Sequence, residues 1–146
     1  MALYVEFAYA EPEQRDSITR VVDALREAKR SGEFRDDSHW LAFFDDEARS
    51  TFWWPTPEEL DSWQKRWFST PPDQRLSDPA LETPWDFGSM IEAFQNGDYD
   101  LLGCREVGDG LARIEFDAHA YPYGGTGCMH ALIEAFGGEV RGECAA

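Results

Sequence analysis

Apolar residues follow two rhythms along this chain. Residues 2–9 alternate, with Leu3, Val5, Phe7 and Tyr9 on one side and Tyr4 and Glu6 on the other. That period predicts a strand with one buried face. From Pro12 to about Arg30 the spacing becomes helical, with Ile18, Val21, Val22, Leu25 and Ala28 forming one stripe. Pro12 suits the first helical position, and Lys29 and Arg30 complement the dipole in the last turn.

The run His39 to Phe44 is apolar almost throughout and reads as a second strand. After Asp45-Asp46-Glu47, Thr51 to Trp54 reads as a short third strand pairing back as a hairpin. Thr56-Pro57-Glu58-Glu59 is a capping box, and it predicts a helix to about Phe68 with Leu60, Trp63, Trp67 and Phe68 on one face. Ser69 to Pro84 carries four prolines and reads as a long loop, a kind that is often functional. Phe87, Met90, Ile91 and Phe94 mark a helix from about Trp85 to Asn96. Tyr99–Val107 and Leu111–Ala120 flank Gly108-Asp109-Gly110, a strong hairpin signal.

The glycine loop Tyr121–Gly127 then leads into a short helix striped by Met129, Leu132, Ile133 and Phe136, and Glu139–Gly142 suggests a last edge strand. The order is β-α-β-β-α-loop-α-β-β-α-β. It predicts one α+β domain over residues 1–146: a mainly antiparallel sheet of about five to six strands, with helices packed chiefly on one face. A ferredoxin-like arrangement fits within that class.

Charge changes the picture more than composition does. The net charge is −16, on a chain that is 42% hydrophobic and holds six Trp and ten Phe. Acids outnumber bases twelve to seven in 1–54, nine to three in 55–98 and eight to three in 99–146, so the folded body itself is negative. Such a field repels nucleic acid and anionic membranes and speeds encounter with a basic partner. No run reaches the roughly 18–20 apolar residues of a membrane span, and the first residues do not read as a signal peptide. Cys104, Cys128 and Cys144 show no paired spacing, which predicts a cytoplasmic protein with free thiols.

Chemistry is sparse. Cys128 near a helix start, with His119 and His130 close in sequence, has the ingredients of a thiolate nucleophile, yet buried cysteine is the commoner role. The Tyr121–Gly127 loop could offer amides to an anion, but it matches neither phosphate-loop pattern, and no Lys or Arg lies between Arg113 and Arg141. Asp117, His119, Cys128 and His130 lack metal-site spacing, so no metal or cofactor is expected. A small enzyme or ligand-binding protein that uses the Tyr121–Cys128 loop as an anion or thiol site, with His119, Tyr121, Tyr123, Thr126 and Cys128 around a pocket, is therefore the second reading. The first is a protein-binding face, in which acids steer a basic partner and exposed tryptophans anchor it. Asp36, Asp37 and Glu82 belong to that acidic set, and the contacts expected are Asp45, Asp46, Glu47, Trp54, Asp73, Asp78 and Trp85.

A small, strongly acidic, tryptophan-rich α+β chain resembles, in overall character, the immunity proteins that neutralise bacterial toxins. That resemblance implies a binding protein, not an enzyme, that blocks the active site or an essential surface of a toxin, often a basic one; a monomer or homodimer is expected. Separately, Tyr121–Gly127 with Leu132–Gly137 resembles a segment of small bacterial proteins and brings no chemistry with it.

Overall fold

A computed structural model describes residues 3–120 and 123–144. Strand β1 (Leu3–Ala8) is followed by α1 (Pro12–Ser31), the short helices α2 (Asp37–Leu41) and α3 (Asp46–Arg49), then α4 (Pro57–Ser69). Two 3-10 turns, Pro72–Gln74 and Pro79–Leu81, lie in the proline-rich stretch. Helix α5 (Phe87–Asn96), hairpin strands β2 (Tyr99–Gly108) and β3 (Leu111–Ala118), α6 (Gly127–Ala135) and β4 (Glu139–Cys144) complete the order.

The strands form one antiparallel sheet in the order β2-β3-β1-β4. With α1 between β1 and β2, and α6 between β3 and β4, this is the split β-α-β arrangement of ferredoxin-like folds, with α2 to α5 inserted before β2. Alternation decides which face is buried. Val5 and Phe7 of β1, Ala112, Ile114 and Phe116 of β3, and Tyr99 and Leu101 of β2 point into the core. Helix α1 covers β2, and α6 covers β1 and β4. The opposite face is polar and bound by charge. Arg113 pairs with Glu6 at 2.9 Å and lies 3.9 Å above the Tyr4 ring, while Arg105 pairs with Glu115 at 3.1 Å.

The sheet has four strands, not five or six, because the chain from 37 to 54 is helical and irregular. Asp36 caps α2 by accepting from the His39 amide, and Asp45 caps α3 by accepting from the Ala48 amide. Trp40, Phe44, Ala48 and Phe52, spaced by four, are the buried residues, which is a helical spacing and not an alternating one. Arg49 donates to the carbonyls of Phe44 and Leu41, satisfying backbone that a strand partner would otherwise have taken. Residues 51–54 hold no strand. Elsewhere the differences are small. Helix α5 starts at Phe87 because Asp86 caps it through the Ser89 amide, β3 stops at Ala118, and β4 continues to Cys144.

Candidate functional site

Two hollows meet on the helical side of the molecule, and both are walled by Thr51 and Glu134. The larger, of about 250 Å³, lies among the N-terminal turn of α1, α3 and the C-terminal end of α6, and four acidic residues, Glu13, Asp45, Glu47 and Glu134, line it. The smaller, of about 140 Å³, is lined by Phe52, Thr83, Pro84, Trp85 and Ala131. Together they make a furrow that is acidic at one end and aromatic at the other.

Each wall follows from local sequence. Glu13 occupies the first turn of α1, which Pro12 opens and the Glu11–Gln14 capping box fixes. Asp45 caps α3, and Glu47 lies in its first turn. These acids sit where the helix dipole favours them. Glu134 does not: it lies in the last turn of α6, at the negative end. An acid that opposes its own helix and lines a hollow with three other acids is better explained by what it meets than by what it supports. Among the described residues, no Lys, Arg or His lines either hollow. Among the described residues, Glu13, Glu47 and Glu134 have no ion-pair partner. Trp85 is 39% exposed, and a Cβ on Gly127 would come within 2.9 Å of its ring, so only glycine at 127 lets the indole lie this close to the start of α6.

The contacts expected from sequence divide between two places. Asp45, Glu47 and Trp85 line the furrow. Asp46 is exposed beside them in the first turn of α3. Trp54, 52% exposed, stacks on Phe87 at 6.2 Å and donates its indole N–H to the Arg49 carbonyl. Asp73 and Asp78 lie in the proline-rich stretch, outside the furrow. Asp78 is committed there: bonds from the Ala80 amide and from Arg66 hold its carboxyl below the usual range. Glu13 and Glu134 escaped the sequence reading, since they are remote in the chain and only the fold brings them together.

The second set is dispersed. Cys128 is buried, with its Sγ 3.6 Å from the Tyr99 hydroxyl, and burial pushes the thiol up from its ordinary pKa. Tyr123 is buried. His119 is exposed and bracketed by Asp98 and Asp100, 3.0 Å from each, and bonds to Asp100 and then Asp98 raise its pKa. Thr126 donates to Glu143, which also holds His130 at 3.1 Å. Tyr121 lies outside the described residues. His119 lines a hollow of its own, which holds none of the other described members of this set. Among the described residues no three His, Cys, Asp or Glu side chains converge as a metal site, and no helix is long and apolar enough to cross a membrane.

Compared with models of known families, with curated proteins and with solved structures, the chain matches none.

Proposed function

We propose that this chain is a binding protein which takes a cationic segment of a protein partner into the acidic furrow and thereby covers that partner's surface. What supports the reading is that four acidic residues, Glu13, Asp45, Glu47 and Glu134, line one hollow in which the described residues include no cation. An Arg or Lys from a partner would find acids there without a cationic counterpart and gain charge-assisted hydrogen bonds. Trp85 at the other end offers the rigid aromatic contact that interfaces favour. The −16 net charge adds long-range attraction for a basic protein, screened beyond roughly 8 Å at physiological salt. Occlusion of this kind is how the toxin-neutralising proteins that the chain resembles act. The three cysteines are all free, which supports a cytoplasmic setting.

The test is capture from lysate of the cells that make the protein, at low salt, followed by a salt step. A basic protein retained in stoichiometric amount, and not retained by a variant carrying Glu13→Gln, Glu47→Gln and Glu134→Gln, is the expected result. Equal retention by that variant would remove the furrow from the account.

A further inference from the structure

Between Phe52 and Phe87 no residue joins the main hydrophobic core. The intervening segment is an arm built on α4, a 13-residue helix in which no residue is buried. It is nevertheless ordered by its own contacts. Trp63 and Trp67 stack at 5.3 Å, Trp53 meets Trp63 edge-on at 5.7 Å, and the Trp63 indole donates to the Leu81 carbonyl. Arg75 lies 5.0 Å above the Trp67 ring and donates to the carbonyls of Trp67 and Thr70, which returns the chain at 75 to the end of α4.

This small cluster leaves large apolar groups in water: Phe68 is 77% exposed, Leu76 91% and Leu60 37%. Another side of α4 borders a shallow hollow of about 430 Å³ lined by Glu58, Glu59, Ser62, Trp63, Arg66 and Ala80. A soluble surface rarely concentrates such side chains on one element without a use for them.

We infer that this face of the arm is a docking surface for a cationic amphipathic helix of a partner protein. Charge chooses the occupant. Residues 53–86 hold seven acids against three bases, and all three bases are engaged within the arm: Lys65 with Asp61, Arg66 with Asp78, and Arg75 on Trp67. Glu58, Asp73 and Glu82 have no ion-pair partner among the described residues, so the arm carries uncompensated negative charge along with its exposed apolar groups. A second copy of the chain would set these acids against their own kind, and nucleic acid or an anionic bilayer would be repelled. A partner helix with an apolar stripe and flanking Lys or Arg matches both features at once: its stripe covers Leu60, Phe68 and Leu76, and its cations meet the acids. The surface is separate from the furrow and stands if the furrow reading fails.

The probe is a 14-residue peptide of Leu and Lys in helical repeat, with a Leu and Glu peptide of the same pattern as its control, titrated at about 0.1 M salt and followed by tryptophan fluorescence and calorimetry. Saturable one-to-one binding of the Lys peptide is expected, with none of the Glu peptide. Replacing Phe68→Ser and Leu76→Ser, both exposed and therefore tolerable to the fold, should weaken it at least about tenfold, as befits loss of two apolar anchors. The Glu13→Gln, Glu47→Gln, Glu134→Gln variant should bind as the parent does. Undiminished binding by the arm variant, or loss of binding in the furrow variant alone, overturns the assignment. So does a concentration-dependent dimer, seen by sedimentation, that the arm variant abolishes, because the occupant would then be a second copy.

Discussion

The hydroxyl of Tyr99, at the start of β2, lies 3.6 Å from the sulfur of Cys128, at the start of α6, inside the core. Burial pushes both groups up from their ordinary pKa values, so neither ionises near neutrality. A helix start would ordinarily favour a thiolate, but here desolvation outweighs the dipole. Cys128 should therefore resist a thiol reagent in the native state and react only on unfolding. Counting reactive thiols with and without denaturant checks this, and native labelling of Cys128 as fast as that of Cys144 would contradict it.

Gly97 touches the same ring from the other side. A Cβ there would run into Tyr99, and the Gly97 carbonyl accepts from Lys29 at 2.9 Å. Gly97→Ala should cost about 1–3 kcal/mol, the range for overpacking a fitted core. Because Tyr99 must shift, the same change should speed native labelling of Cys128. Thermal melts and thiol kinetics on one sample test both halves.

His119 gives a pH dependence whose sign can be worked out. Its pKa is raised in the folded protein by hydrogen bonds to Asp100 and Asp98, so its stabilising contribution is complete below the unfolded value of roughly 6.5 and fades as pH rises through the folded value. Lys29 and Tyr99 line the same hollow; burial lowers the Lys29 pKa from its ordinary value and raises that of Tyr99. The melting-temperature gap between the parent and His119→Ala should be widest at about pH 5.5 and narrow towards pH 9. An NMR titration of the ring should have its midpoint above the ordinary value, returning towards it in Asp98→Asn, Asp100→Asn.

The arm should come apart without the body. Thr56 accepts from the Glu59 amide and Glu59 returns a bond to the Thr56 amide, so Thr56→Ala removes half of a capping box worth about 1 kcal/mol. Since α4 has no buried residue, hydrogen exchange should quicken along α4 while the global melting temperature stays put. A matching fall in both would show that the arm folds with the core.

Phe44 is the reverse case. It meets Phe136 at 4.9 Å, Phe87 at 5.1 Å and Phe52 at 5.9 Å, and is 2% exposed. Phe44→Ala should cost about 3–5 kcal/mol in chemical denaturation.

Phe44 also marks where the sequence misleads. Long periodic segments were legible, since Ile18, Val21, Val22 and Leu25 or Val5 and Phe7 can satisfy only one period. Trp40 to Phe44 is too short and too apolar to distinguish strand from helix, and the deciding groups are the caps Asp36 and Asp45, which read equally well as surface acids. The furrow was half legible. Asp45, Glu47 and Trp85 stand out by charge or size. Glu134 sits inside an ordinary helical stripe, and its meeting with Glu13 depends on β4 and β1 lying side by side, which no local pattern states.

Lys29 donates to the carbonyls of Phe94 and Gly97, at 2.7 and 2.9 Å, closing the end of α5 with a half-buried ammonium. The sequence has one other lysine, Lys65, on the arm, its side chain 77% exposed. Of the two lysines, acylating reagents and amine-coupling surfaces therefore have one ready handle, and it lies on α4. A sample tethered through Lys65 is held by its arm, so the attachment crowds the arm and not the furrow, which Lys65 does not line. Coupling through the free thiol of Cys144 instead leaves the arm unmodified.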